Sequence, residues 1–187
     1  MPRLPRGLPR TFYARGADEV AADLLGKTLA RVVDGTLRRA RIVECEAYVG
    51  PHDLAAHSSK GRTPRNASMW GPPGHAYVYF IYGLFWMLNV VCSRRGDPQA
   101  VLLRAAEPLD GWAANLSGPA LLAKAFGVTK PDDGADLVRG PLRIADGPAP
   151  ERIRTATRVG VDYAGVWAQE ELRFYDDASA HVSKRPR

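Results

Sequence analysis

Cysteine is scarce in this chain: two residues in 187, which excludes a scaffold stapled by a dense set of disulfides. Cys45 lies in a strand-like run and Cys92 ends an apolar one, so both read as buried thiols in a reducing compartment. Their spacing gives no distance, and a bond between them stays open. Histidine is scarce as well. None of His52, His57, His75 and His181 stands with cysteines or acids at a metal-ligand spacing, so no metal site and no metal cofactor are expected. The chain contains no G-x-x-x-x-G-K-[S/T], no G-x-G-x-x-G and no G-x-S-x-G. Those absences count against a P-loop nucleotide enzyme, a dinucleotide-dependent dehydrogenase and an α/β serine hydrolase.

Long apolar runs are absent but for one. Residues 76–92, AYVYFIYGLFWMLNVVC, carry no charge over seventeen positions, close to membrane-spanning length. Aromatic and β-branched residues dominate the run, Gly83 interrupts it and Asn89 sits inside it. Two buried strands about a turn fit that composition better than a spanning helix. The start, MPRLPRGLPR, lacks the apolar centre of a signal peptide. We therefore expect a soluble, cytoplasmic protein, with a flexible basic tail over 1–10 and a single domain over 11–182.

What is present is an ordinary globular balance, 45% hydrophobic and 25% charged, enough to bury a core without staples. The net charge of +6 points, weakly by itself, to a nucleic acid or an anionic surface. Residues 17–25 place apolar side chains at helical spacing, with Asp18 as a candidate cap and Gly26 as a stop. Asp34-Gly35 between two β-rich runs predicts a hairpin. Residues 50–75 read as a long functional loop. A strand follows from Ala100, then a helix capped by Ser117 and stopped by Gly127. Residues 129–150 look like surface connections, and RVGVDY (158–163) and ELRFYDD (171–177) like closing strands. The predicted class is α+β: a mostly antiparallel sheet with helices packed beside it.

Several segments carry candidate chemistry. In a strand over 42–48, Glu44, Glu46 and Tyr48 share a face opposite Val43, Cys45 and Ala47. Two carboxylates beside an aromatic ring can hold and deprotonate a water, although a solvated strand face would look the same. Lys60, Arg62 and Arg65 form a compact basic loop suited to phosphate. Tyr82-Gly83 can sit at an exposed turn, where a ring can wedge between base pairs. Arg104, inside the strand VLLRAA, needs an acid such as Glu107 or Glu46, or an anion.

Taken in order, RIVECEAYVGP, AAHSSKGRTPRN, GHAYVYFIYGLFWMLNVV and AVLLRAAEPLDG resemble the alkyladenine (3-methyladenine) DNA glycosylase family. SGPALLAKAFGV and RVGVDYAGVWAQEELRFY extend the likeness, which covers residues 10–180. About ten residues precede the match, fewer than in eukaryotic members, so a bacterial member without tail-mediated contacts is expected. The resemblance implies a curved antiparallel sheet with flanking helices and a protruding β-hairpin, likened to the C-terminal domain of methionyl-tRNA formyltransferase. It implies a monofunctional, cofactor-free enzyme acting as a monomer on double-stranded DNA. Damaged purines would be flipped out and hydrolysed from the sugar, and no lysine stands at the matched catalytic position to form a Schiff base.

By the same resemblance Glu46 is the base that activates water, and Arg104 lies near it and the phosphate. Tyr48, His57 and Tyr79 wall the base pocket. Asn89 crowds a purine 2-amino group, Tyr82 fills the gap in the helix, and Met69 is a further minor-groove contact. Cys45 departs from the family pattern. The competing readings are a non-catalytic binder of distorted DNA, an RNA-directed or formyltransferase-like enzyme, and a membrane protein through 76–92.

Overall fold

Asp34 and Gly35 both take positive φ, 50° and 76°, the sign pattern of a type I′ turn whose twist matches that of the strands it joins. They connect β1 (Thr28–Val33) to β2 (Thr36–Tyr48), paired antiparallel from Val33↔Thr36 to Thr28↔Arg41. The computed structural model describes residues 2–185. β2, thirteen residues long, is the spine of the molecule. One of its edges pairs with β5 (Gln99–Pro108), through a bulge between Ile42 and Cys45. Its other edge holds β1 along the first half and β8 (Arg173–Asp176) at Glu44–Glu46.

The uncharged run forms a hairpin of β3 (Ala76–Ile81) and β4 (Phe85–Cys92), with Ile81 opposite Phe85. The main path runs β3-β4-β5-β2-β1-β6, where β6 is Leu142–Ala145, and β7 (Ile153–Ala156) pairs with β8. The result is a curled antiparallel sheet, a half-barrel, with few helices. Among the described residues no helix is long and apolar enough to cross a membrane.

Alternation along the strands divides the sheet into two faces. Ile42, Cys45, Ala47, Val78, Leu88, Val90, Val101 and Leu103 all enter the main core. There they meet α1 (Arg10–Tyr13), α2 (Ala17–Leu24) and α3 (Pro119–Ala125) through Tyr13, Val20, Leu24 and Leu122. Each large side chain removed from water there contributes roughly 1.5–3 kcal/mol. Cys45 and Cys92 are free thiols within that core. With one face given to the helices, the opposite face is left to build a site.

Several local expectations need correction. The cap of α2 is Gly16, not Asp18, which lies in the first turn. Gly118, not Ser117, caps α3; Ser117 forms a bridge to Ala105 instead. Gly127 stops α3 as expected: Gly127 N–H donates to Lys124 O and Val128 N–H to Ala123 O, closing a Schellman motif. Residues 129–150 are not only connections, since they contain β6. Residues 158–163 are not a strand: Gly160 at φ 75° breaks the extended chain, and a 3-10 segment follows over Asp162–Ala168. The tail is shorter than predicted. From Gly7 it pairs with Ala145, and Leu8 N–H donates to Ile144 O at 2.7 Å; Met1 lies outside the described residues.

Candidate active site

The face turned away from the helices is lined at every second residue of neighbouring strands. Tyr77, Tyr79 and Ile81 come from β3, Met87 and Asn89 from β4, and Ala100, Leu102 and Arg104 from β5. Tyr48 continues the row on β2. Together they line a cavity of about 340 Å³, within the range of small-molecule sites. The long loop supplies His57, and the chain at Val159–Tyr163 closes the remaining side.

The walls are aromatic. His57 and Tyr79 meet edge to face with centroids 4.6 Å apart, and Tyr77 lies 5.4 Å from Tyr79. Tyr77 Oη and His57 Nδ1 are hydrogen-bonded at 2.8 Å. Burial, helped by the charge of Arg65, lowers the His57 pKa to about 4, so the ring is neutral at neutral pH. Burial likewise pushes the Tyr48, Tyr77 and Tyr79 hydroxyls upward, so they remain protonated. Behind Tyr48 stands Arg158, its guanidinium 4.8 Å from the ring centroid. Arg158 and Asp53 form a fully buried pair with contacts of 2.5 and 2.9 Å. Neither residue was singled out from the sequence, and neither was Tyr77.

Beneath the walls lies a layer of charge. Glu44 and Glu46 are fully buried. Arg104 bridges them, with Nε donating to Glu44 at 3.0 Å and Nη1 3.3 Å from Glu46. Glu107, the other expected partner, pairs with Arg41 instead. Glu44 also accepts from Arg173 at 3.1 Å and from Ser183 N–H at 2.6 Å.

Glu46 differs from Glu44. Its Oε1 accepts the Val159 N–H at 2.7 Å and its Oε2 the Tyr48 hydroxyl at 3.0 Å. Those two donors and Arg104 all line the cavity, so Glu46 lies one layer behind its wall. One lone pair of Oε2 has no protein donor among the described residues. Burial raises the Glu46 pKa, while Arg104, the Val159 N–H and the Tyr48 hydroxyl pull it back. Arg104 loses to burial but gains more from the two carboxylates, so its cation is reinforced.

The remaining candidates separate. Asn89 is buried and its Nδ2 donates to Tyr77 O at 3.1 Å, which fixes the amide at the cavity wall. Tyr82 is 83% exposed at the hairpin tip, beside Leu84 at 70%. Lys60 and Arg62 are exposed on the loop. Arg65 stacks 5.6 Å from the Tyr79 centroid and donates to Phe80 O at 3.0 Å, so it braces the slot as well as adding charge to its rim. Met69 is only 2% exposed; it packs with Tyr77, Val91 and Ala100 and lines the cavity.

Comparison with known proteins gives this slot its context. Residues 11–180 match the family described as methylpurine-DNA glycosylase (MPG). A Methanocella arvoryzae protein named "Putative 3-methyladenine DNA glycosylase" is 48% identical, over 95% of this chain and 96% of its own length. Proteins of the same name from Anaeromyxobacter sp. and Legionella pneumophila (strain Corby) are 50% and 45% identical, over 96% of this chain and 93% and 99% of theirs. The class is thereby defined: a DNA glycosylase, a repair hydrolase acting on N-glycosyl bonds. Within it, the chain belongs to the methylpurine-DNA glycosylase family.

Proposed function

We propose that this enzyme rotates an alkylated or deaminated purine out of duplex DNA into the aromatic slot and hydrolyses its bond to the sugar with a water activated by Glu46. The set of bases is 3-methyladenine, 7-methylguanine, hypoxanthine and ethenoadenine. The product is an abasic site in an uncut strand. The observation that carries the proposal is the state of Glu46. Its donors orient the carboxylate next to the cavity and leave one Oε2 lone pair for a water. Glu44, by contrast, takes two guanidiniums on Oε1 and the Ser183 N–H on Oε2, and of these partners only Arg104 lines the cavity. Burial makes Glu46 a stronger base than a solvated glutamate.

The other parts follow from the same chemistry. Removing a nucleotide from the stack costs a few kcal/mol, least where the base is damaged or mispaired. Tyr82 offsets that cost by occupying the vacated space, and Lys60, Arg62 and Arg65 hold the distorted backbone. A purine methylated at N3 or N7 is cationic and attracted to the faces of Tyr48 and Tyr79. Neutral lesions need a hydrogen bond. His57 Nε2 has no protein partner among the described residues: it donates when Tyr77 Oη donates to Nδ1, and accepts when those roles reverse. The pinned Asn89 amide crowds a 2-amino group and so disfavours guanine. As oxocarbenium character grows on the sugar, Glu46 supplies the opposing charge. We place the enzyme in the cytoplasm, on nucleoid DNA, working as a monomer, since a single chain carries both slot and wedge.

Glu46→Gln tests this reading. Single-turnover excision from a hypoxanthine duplex, read as alkali-labile sites, should fall by about 10²- to 10⁴-fold. Affinity for an abasic duplex should stay within a few-fold of wild type. Undiminished excision would overturn the assignment.

A further inference from the structure

The segment following β8 reaches the charged layer from behind. Asp177 begins it, and Ser179, itself buried, folds it back through a bond from its N–H to Asp176 O. It then makes one contact to each of three charged side chains. Ser183 N–H donates to Glu44 Oε2 at 2.6 Å. Arg104 Nη2 donates to Ser183 Oγ at 3.2 Å. Arg173 Nη1 donates to Lys184 O at 2.5 Å. Arg185 ties the segment down by donating to Ser179 O at 2.6 Å.

We propose that Ser183 is a positioning residue of the active site: its backbone N–H fixes the Glu44 carboxylate, which sets the guanidinium of Arg104 against Glu46. The proposal rests on Glu46 acting as the base. Glu44 is fully buried, and its Oε1 is shared between Arg104 Nε and Arg173 Nη1. One oxygen shared by two cations fixes a distance but permits the carboxylate to turn about it. The Ser183 N–H on Oε2 is the contact that stops that rotation. Arg104 depends on the result, since its Nε is spent on Glu44 while Nη1 faces Glu46. A planar guanidinium held at one corner transmits a small turn to the other. The peptide N–H does the main work, and the hydroxyl is secondary.

Proline has no N–H, which separates the two contributions. Ser183→Pro should lower single-turnover excision by about 10- to 100-fold, the worth of one hydrogen bond to a charged group. The same lost bond should lower its melting temperature on the order of 5 °C, while its affinity for an abasic duplex should stay near wild type. Ser183→Ala keeps the N–H and loses only the longer, 3.2 Å bond from the Arg104 guanidinium to the hydroxyl, so its excision should fall less, by about 3- to 10-fold. Glu44→Gln should be slow by itself, and adding Ser183→Pro should slow it little further, as expected of groups acting in one chain. A folded Ser183→Pro enzyme with wild-type excision would overturn the proposal. So would equal losses in the alanine and proline variants.

If the proline variant does not fold, amide exchange in the wild-type chain decides. A Ser183 N–H protected like those of the central strands supports the contact, and free exchange refutes it. The outcome is separable from that of the parent reading. Inactive Glu46→Gln with normal Ser183→Pro removes only the positioning role, whereas active Glu46→Gln removes the base.

Discussion

The base of the slot and the tip of its hairpin are built in opposite ways. At the base, Glu44, Glu46, Asp53, Arg104, Arg158 and Arg173 are buried, and each charge faces an opposite one. At the tip, Tyr82 and Leu84 stand largely in solvent. The base is complete within the chain, so a change there disturbs the fold and the reaction together. On the proposed reading the tip gains its contacts from DNA, so a change there should spare the fold.

The largest effect expected from this contrast is on stability. Arg158→Met leaves the Asp53 carboxylate buried without its cation, and breaking such a pair costs about 3–5 kcal/mol. The melting temperature should fall on the order of 10 °C. A melt within about 2 °C of wild type would show that the base is less tightly coupled to the fold than its geometry implies.

Tyr82→Ala comes next. It should slow single-turnover excision by about 10-fold, the loss of one stacked ring, with the melt unchanged or raised. A clear drop in melting temperature would erase the contrast, because the tip would then belong to the fold.

The last effect concerns pH and develops gradually across a window. The His57 pKa is about 4 folded against 6.5 in the open chain, so between those values the unfolded state binds more protons. Stability therefore declines as pH falls from 6.5 toward 4, and levels off below. Burial of a neutral imidazole causes this slope, and His57→Gln should reduce it by about 2 kcal/mol across the window. Denaturant midpoints at several pH values measure it; equal slopes in both proteins would place the titration elsewhere.

Much of the slot was legible because strands repeat every two residues. Alternation puts Glu44, Glu46 and Tyr48 on one face, and the same rule carries Tyr77 in with Tyr79. The D-G turn, the aromatic hairpin and the glycine stop of α3 were each local signals strong enough to survive packing. Roles came from resemblance, since a strand face with two acids looks the same solvated or catalytic. Other features had no local signature. Asp53 and Arg158 are 105 positions apart, and nothing in either neighbourhood announces the other. β6 and β7 are four residues each, too short for a period to show among glycines and prolines. The burial of Met69 has no local signal either: it is decided by Tyr77, Val91 and Ala100, which only the folded chain brings over it.

The hairpin turn has one more consequence. Tyr82 and Gly83 both take positive φ, 55° and 65°, and a left-handed backbone costs a large side chain about 1–2 kcal/mol that glycine or asparagine largely escapes. Optimising this chain for thermostability alone would therefore nominate position 82 for replacement, and Tyr82→Asn would harden the loop while blunting the instrument. Robustness and repair pull against each other at a single residue, and the tyrosine marks which of them prevailed.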